Sequence, residues 1–411
     1  MVNSYNQNTE EKQSETTFKS VAFESGLYEE PFEALRDYLK CFMNCKVCFI
    51  CSCNNFLTFK EFCDSLYLKA VYVFSDDEQT IKNFDEVIDV ANQVDIIVCL
   101  DAQSVNYSKK LSMALKVACQ YFFLYMPPID VFLPYYDEFN GEDIVRCFCS
   151  PIKNYIIAYT LPEQTDRQSL ITCFASILSY YTIFLEVYVN AHLFKQKLDD
   201  SFLCKFDFYT NKIDQLLHEI YFMPADYLDK LYAFCLDFSA FIECFKDVFN
   251  KEKTFALLYK YLTPKTKLTE FELSCFSAQI FSHIYLDFFK NNQNFSYNYC
   301  SLEKKEAMYA KYFASCTCYA QNCHIQKEDE VVYLINRFSS KLYNKCKTFV
   351  NMFDKFIDAS LDLYADSGYA LIKELNKKAI VRTIYFVPDF CANKSLLKVI
   401  QDYGILDSIA E

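Results

Sequence analysis

Four short apolar runs in the first third of the chain, separated by segments of helical periodicity, constrain the fold more than any other feature. The runs cover residues 47–51, 70–74, 96–100 and 121–125. Each has the length and the continuous hydrophobicity of a strand that is buried on both faces. Between the second and third runs, Phe84, Ile88 and Ala91 recur at helical spacing. Strands and helices that alternate in this way, with right-handed crossovers, predict an α/β fold: a Rossmann-like parallel sheet with flanking helices.

The regions on either side of these runs differ in pattern. The first residues are polar and predict a mobile tail, and the segment that begins at Pro31 predicts a helix. After about residue 150 the strand signals mostly stop, and aromatic and leucine periodicity predicts helices. The clearest apolar stripe is formed by Leu342, Cys346, Phe349, Phe353 and Phe356. We therefore predict three parts: a tail at residues 1–30, an α/β domain at 31–150 and a mainly helical region at 151–411.

One apolar segment has the composition of a membrane helix. Residues 170–185 contain no charged side chain and are bounded by Arg167 and Glu186. Because a spanning helix needs about 20 such residues, the segment favours a buried core helix. Hydrophobic residues make up 52% of the chain, enough for a large core. A membrane-associated helical protein is retained as an alternative, although no membrane partner is expected.

The charge balance argues against one class of ligand. The formal net charge is −13 and the isoelectric point is near 5.0. A surface of this charge does not favour a sequence-independent grip on phosphate backbones, so protein partners are expected and any nucleic acid contact must be local. The chain has 21 cysteines but opens without an apolar signal core, which predicts a reducing compartment and cysteines that fill the core.

Several common catalytic motifs are missing from the sequence. The four glycines, Gly26, Gly141, Gly368 and Gly404, lie too far apart to form a phosphate loop, a dinucleotide fingerprint or a hydrolase elbow. The four histidines all lie outside the predicted α/β domain. We therefore predict no catalytic residue, no cofactor-binding residue and no metal ligand, and read the acidic pairs 76–77 and 199–200 as turns at the ends of elements.

Two groups of cysteines have the composition of metal ligands. The first group includes Cys48 and Cys51, which lie in a predicted strand and so point to opposite faces. The second is a compact group whose spacing fits no common zinc module. Its members are Cys316, Cys318, Cys323 and His324. Structural thiols are the favoured interpretation of both groups, and occupation of the second by zinc is left open.

The segments at the ends of three predicted strands resemble, in sequence and in order, those of a known family. The segments VCFICSCNN, VDIIVCLDAQ and YFFLYMPPIDVFLPYYD resemble the motif segments of the cell division control protein 45 family, which is similar to the DHH phosphoesterases and RecJ nucleases. Residues 330–333 and 368–382 resemble later helices of that family. Where the phosphoesterases carry metal-binding residues, this chain has Cys53, Asn55, Cys99, Leu124 and Met126.

The resemblance implies a function without catalysis. A two-metal phosphoesterase needs several carboxylates and histidines around its cations, and the substituted positions do not supply them. The family likeness instead implies a nuclear, non-catalytic subunit of the replicative DNA helicase with a truncated C-terminal domain. It would bridge the MCM hexamer and the GINS tetramer in replication initiation and fork progression, with local contact to single-stranded DNA. The alternative enzyme is a DHH-type phosphoesterase or nuclease with a metal site rearranged around Asp101, Asp130 and Asp137.

Overall fold

A computed structural model describes residues 25–76, 83–140, 143–149, 154–159, 164–195, 197–249, 282–291 and 328–363. Its centre is a sheet of six parallel strands in the order β1-β8-β5-β4-β2-β3, and a separate antiparallel hairpin is formed by β6 and β7. The strands are β1 (Gly26–Tyr28), β2 (Lys46–Cys51), β3 (Lys69–Phe74), β4 (Ile96–Cys99), β5 (Cys119–Phe123), β6 (Tyr135–Asn140), β7 (Asp143–Phe148) and β8 (Tyr155–Ala158).

Helices flank the sheet, and further helices follow it in the chain. They are α1 (Pro31–Lys40), α2 (Phe56–Ser65), α3 (Phe84–Ala91), α4 (Val105–Leu115), α5 (Gln164–Leu193), α6 (Asp200–Glu219), α7 (Tyr227–Cys244), α8 (Lys246–Phe249) and α9 (Glu328–Leu363). A further helical segment is described at 282–291. Two 3₁₀ turns, at Ala102–Ser104 and Ile129–Phe132, follow strands β4 and β5 and lie at the same edge of the sheet.

Side-chain alternation along β2 divides the core between the two faces of the sheet. Phe49 and Cys51 point into a cluster with residues of α1 and α2, whereas Cys48 and Ile50 point into a cluster with residues of α3 and α4. This is the period of two expected for an extended strand. Cys48 and Cys51 therefore lie on opposite faces, as the sequence predicted.

Helix α5 forms the centre of the third and largest apolar cluster. Its segment Leu170–Leu193 is long and apolar enough to cross a membrane, but 89% of the hydropathy window lies buried inside the protein. Tyr181 stacks on Phe238 of α7 with ring centres 5.7 Å apart, and Phe174 lies 6.3 Å from Phe356 of α9. The prediction of a buried core helix is confirmed, and the membrane alternative has no support from this packing.

The predicted α/β class, a parallel sheet with flanking helices followed by helices, is confirmed. The first three predicted strands and the helix at Pro31 are found within one residue of their expected bounds, while β5 starts two residues before the predicted run. Strands β1 and β8 and the hairpin β6-β7 were not predicted. Both β1 and β8 belong to the sheet, and the division into parts at residues 30 and 150 stays a prediction.

Candidate functional site at the carboxyl edge of the sheet

The strand order places a topological switch point between the carboxyl ends of β2 and β4. The chain leaves β2 to form β3 on one side, then crosses over to form β4 on the other side of β2. At such a topological switch point the two connections diverge and leave an opening, where α/β proteins commonly bind ligands. We call this opening the switch-point crevice. It is bordered by residues 52–55 after β2, 75–76 after β3 and 100–104 after β4.

The carboxylate of Asp101 is the centre of the crevice. Its Oδ2 accepts hydrogen bonds from the Ser52 amide at 2.7 Å, the Ser52 hydroxyl at 2.8 Å and the Asn55 side chain at 3.2 Å. Its Oδ1 accepts from the Ser104 amide at 2.9 Å. Asp101 is 8% exposed, so these four donors replace most of the water that would otherwise solvate the charge. Residues from β2 and β4 are thereby joined through one carboxylate.

The position of Asp101 is one that favours an anion. Its carboxylate caps the 3₁₀ turn that leads into α4, where amide groups without partners within the helix point outward and the helix dipole is positive. The same features attract the phosphate of a bound nucleotide in other α/β proteins. In this chain the protein's own carboxylate accepts from the Ser104 amide at this position.

A second carboxylate lies at the rim of the crevice. Asp76 follows β3, is exposed, and accepts a hydrogen bond from the Cys53 amide at 2.8 Å. Burial works to raise the pKa of Asp76, but hydrogen bonds from the Cys53 backbone and side chain outweigh it and leave the pKa below its ordinary value. The Ser75 and Ser104 hydroxyls lie 2.7 Å apart and join the exits of β3 and β4. Asp76 is therefore an ionised acceptor at the mouth.

The buried thiols beside the crevice are not nucleophiles at neutral pH. Burial, reinforced by the Asp101 charge, raises the pKa of Cys51 to about 12. Cys99 is fully buried, and burial together with Cys119 raises its pKa well above the ordinary value. Only the thiolate attacks or binds a metal strongly. These cysteines act as core residues.

A buried lysine holds residues 130–135, the segment that follows β5 at the carboxyl edge of the sheet. Lys109 of α4 is 1% exposed, and its ammonium donates to the carbonyls of Asp130 and Leu133 at 2.8 Å and of Tyr135 at 3.1 Å. The side chain of Asp130 accepts from the Tyr180 hydroxyl at 2.7 Å. The ammonium therefore fixes residues 130–135 against α4, and Tyr180 ties the same segment to α5.

The residues at the positions named by the family resemblance do not form one site. Asn55 binds Asp101, the Cys53 amide binds Asp76, and the Cys99 thiol donates to the Asp101 carbonyl at 3.2 Å. Leu124 and Met126 instead pack in two different apolar clusters. The sequence analysis did not predict the hydrogen bonds by which Ser52, Ser104 and Lys109 hold this edge of the sheet together. For Ser52 the signal was its position directly after a buried strand, whereas Lys109 lies within helix α4 and has no such signal.

The alternative metal site is also not formed. Asp101 is held by Ser52, Asn55 and Ser104, Asp130 is bonded to Tyr180, and the side chain of Asp137 lies outside the described residues. Within the described ranges, no three His, Cys, Asp or Glu side chains converge as a metal site would require. The group Cys316, Cys318, Cys323 and His324 lies outside the described residues, as do residues 368–382.

Comparison with protein-family models and with curated proteins gave no match. Among solved structures, maleylacetate reductase from Agrobacterium tumefaciens matches 93% of this chain and 95% of its own, with 10% identity and a TM-score of 0.50. An iron-containing alcohol dehydrogenase from Corynebacterium glutamicum matches 94% and 97%, with 10% identity and a TM-score of 0.46. A glycerol dehydrogenase from Schizosaccharomyces pombe matches 84% and 95%, with 9% identity and a TM-score of 0.43. The first of these likenesses establishes the fold, which is that of a reductase.

This fold corrects the helicase interpretation. The reductase fold is different from the DHH fold of the cell division control protein 45 family, so the resemblance, the non-catalytic helicase role and the MCM and GINS partners are all wrong. The expectation of a protein without catalysis depended on the same resemblance and is corrected with it. The physical reason is that alternating strands and helices are shared by many doubly wound folds. The nuclear location depended on the same resemblance and remains a prediction.

A divalent metal ion does not fit the described residues of the crevice. The crevice offers the carboxylates of Asp76 and Asp101 without a third ligand side chain, and Asp101 is already saturated by protein donors. A phosphate does not fit beside Asp101 either, since two anions would share the same amides.

Proposed function

We propose that this chain is a small-molecule-binding protein of the reductase fold, which holds a neutral ligand with vicinal hydroxyls, such as a nucleoside or a polyol, in the switch-point crevice. The proposal rests on one observation: the Asp101 carboxylate lies at the start of α4, where other α/β proteins bind a phosphate, and the ionised Asp76 lies at the mouth of the crevice. Oxidoreduction is the reaction class that the fold supports by analogy.

Asp76 supplies the chemistry that recognises a diol. In dinucleotide-binding units, an acidic residue about 20 positions after the first strand–helix turn accepts hydrogen bonds from ribose hydroxyls. Asp76 follows the second strand of this unit, 23 positions after Cys53, to which it is bonded. Because its pKa is lowered, it is a carboxylate at neutral pH and accepts from hydroxyl donors. A diol bound there would present two donors to one carboxylate.

Asp101 supplies the selectivity against phosphate. Bringing a phosphate to the start of α4 would place it against a buried carboxylate that already holds the Ser52 and Ser104 amides. Like charges at this range repel strongly where water is scarce. The proposal therefore favours a nucleoside over its monophosphate, the reverse of the preference of a glycine-rich phosphate loop.

Isothermal titration calorimetry of the full chain with adenosine, 2′-deoxyadenosine and adenosine 5′-monophosphate tests this proposal. We expect adenosine to bind best, because loss of a charge-assisted hydrogen bond costs about 1.5–3 kcal/mol, or roughly tenfold or more in affinity. Asp76→Asn should weaken adenosine binding by about the same factor. The matched control is Asp89→Asn, which removes an exposed carboxylate from α3 and should leave binding unchanged.

Two outcomes would contradict the proposal. If neither adenosine nor a polyol such as ribitol bound to the folded protein, the crevice would not be a site for diols. If the monophosphate bound more tightly than adenosine, the Asp101 carboxylate would not be excluding phosphate, and the crevice would be a nucleotide site of the ordinary kind.

A further inference from the structure

A cavity lies in the helical region, away from the sheet, where the end of α5 and the start of α6 meet α9. Its volume is about 360 Å³, within the size range of small-molecule sites, and it opens to solvent. Much of the lining is apolar and is contributed by Leu198, Leu203, Leu334 and Phe338. We call this the cationic cavity, because three of its remaining side chains, those of His192, Lys195 and Arg337, are of the basic type.

Basic side chains from two parts of the chain converge on the cavity. His192, Lys195 and Arg337 line it, and the Lys341 ammonium lies 3.1 Å from Nε2 of His192. Lys195 is paired with Glu330, so that charge is compensated. Arg337 contacts the Tyr333 hydroxyl at 3.4 Å and the Phe338 ring at 5.4 Å, and in the described part of the chain neither it nor Lys341 is paired with a carboxylate.

His192 positions Lys341 rather than adding a charge of its own. Its Nδ1 lies 2.8 Å from the Tyr188 carbonyl, so Nδ1 carries the hydrogen and Nε2 is left to accept from the Lys341 ammonium. Burial lowers the pKa of His192, and the nearby Lys341 lowers it further. The imidazole is therefore neutral at neutral pH and fixes the ammonium beside the cavity.

We propose that the cationic cavity binds a small organic carboxylate, with its head between Arg337 and Lys341 and its apolar body against Leu203, Leu334 and Phe338. Arg337 and Lys341 are four residues apart on α9 and thus neighbours on one face of the helix. A guanidinium and an ammonium together suit a carboxylate, because a planar fork and a point charge donate to its two oxygens.

The negative net charge of the protein strengthens the case that Arg337 and Lys341 bind an anion. The chain carries a formal net charge of −13, yet these two cations stand without carboxylate partners among the described residues. Cations without carboxylate partners beside an apolar cavity attract an anion from solution. The proposed site shares no residue with the switch-point crevice and is independent of the function proposed there.

The test uses the fluorescence of 8-anilinonaphthalene-1-sulfonate, an aromatic anion, bound to the full chain. We expect saturable binding that decanoate displaces at a concentration at least tenfold lower than decanol, which has the same chain and no charge. The double variant Arg337→Gln with Lys341→Gln should bind the probe at least tenfold more weakly and lose the preference for decanoate. The matched control, Lys347→Gln with Lys355→Gln, removes the same charge from the same helix outside the cavity and should leave both values unchanged.

Circular dichroism of each variant shows whether the helix content of the wild type is kept, so that loss of folding is not read as loss of the site. Equal displacement by decanoate and decanol in the wild type would overturn the proposal, since the charge would then contribute nothing. Equal probe binding by the two double variants would overturn it as well, because the cations of the cavity would be no different from other lysines of α9. Absence of saturable probe binding to the wild type would also overturn it.

Discussion

The switch-point crevice and the cationic cavity both contain charged side chains, but they differ in whether the protein itself supplies partners for those charges. At the crevice the carboxylate of Asp101 is buried and receives four hydrogen bonds from the protein. At the cavity Arg337 and Lys341 lie at the surface, and no carboxylate of the described residues pairs with them. The first arrangement stabilises the fold, whereas the second leaves binding capacity for a ligand.

The difference shows why charge alone does not identify a site. A buried charge with all its donors supplied by the protein is costly to remove, because each donor then loses its partner. An exposed charge contributes little to stability in water. Stability measurements and binding measurements should therefore respond to different residues in this chain, and the following predictions separate them.

Replacing Asp101 should have the largest effect on stability. Asp101→Ala leaves the Ser52 and Ser104 amides without their acceptor in a buried position, and we expect the free energy of unfolding to fall by about 3–5 kcal/mol. Urea unfolding followed by circular dichroism measures this change. Asp89→Ala, which removes an exposed carboxylate, should change it by less than about 0.5 kcal/mol. Equal stability of the two variants would show that the Asp101 bonds are not structural.

Replacing Lys109 should have the next largest effect. Lys109→Met roughly keeps the length of the side chain but removes the ammonium that donates to three carbonyls of residues 130–135, so we expect a loss of about 2–4 kcal/mol. The adjacent Lys110 lies over the Phe84 ring, and Lys110→Met should cost no more than about 1 kcal/mol. The same urea titration compares the two variants, and a similar loss for both would contradict a special role for the buried ammonium.

Raising the pH should weaken the fold through its buried thiols. Burial raises the pKa of Cys51 to about 12, so the folded state keeps a proton that the unfolded state releases from about pH 9. The thiol therefore stabilises the fold fully below about pH 9, and this contribution is lost as the pH rises toward 12, by up to about 1.4 kcal/mol per pH unit.

Urea unfolding at pH 9 and pH 10 measures this slope. Cys51→Ala should reduce the dependence on pH, although it removes a buried side chain and lowers stability at both values. Cys53→Ala, at an exposed position of the same loop, should leave the slope unchanged. A wild-type slope that both variants share would show that Cys51 does not titrate as its burial requires.

Removing the cations of the cavity should have the smallest effect on stability. We expect Arg337→Gln with Lys341→Gln to change the free energy of unfolding by less than about 0.5 kcal/mol, because both side chains are exposed and make no ion pair with the described residues. The same variant is expected to lose anion binding. A large loss of stability would show that Arg337 and Lys341 stabilise the fold, as Asp101 does. The two sites would then not differ in the way described above.

Most of the α/β layer was predictable from the sequence because its strands are buried on both faces. Such strands appear as continuous apolar runs, and β2, β3 and β4 were found where the runs are. Strand β1 contains only three residues and gives no apolar run to detect. Strand β8 is a buried run of four residues, as β4 is, and the sequence analysis missed it. The hairpin β6-β7 mixes polar and apolar residues and pairs only with itself, which gives no buried run to detect.

The family assignment failed for the same reason that the fold class succeeded. The strand and helix order that predicted a parallel sheet is common to many folds, so matching that order could not select one of them. The individual positions, such as Cys53 and Leu124, carried no chemistry of the proposed family. The likeness to a reductase emerged only from how the strands and helices are arranged in space.

The sequence by itself determined the alternation of strands and helices, the apolar core helix at residues 170–185 and the absence of a glycine-rich phosphate loop, because these depend on residues close together in the chain. The tertiary structure decided which polar residues meet. Asp101 reaches Ser52 across 49 positions and Lys341 reaches His192 across 149. Such contacts depend on strand order and helix packing, and local patterns of hydrophobicity do not encode them.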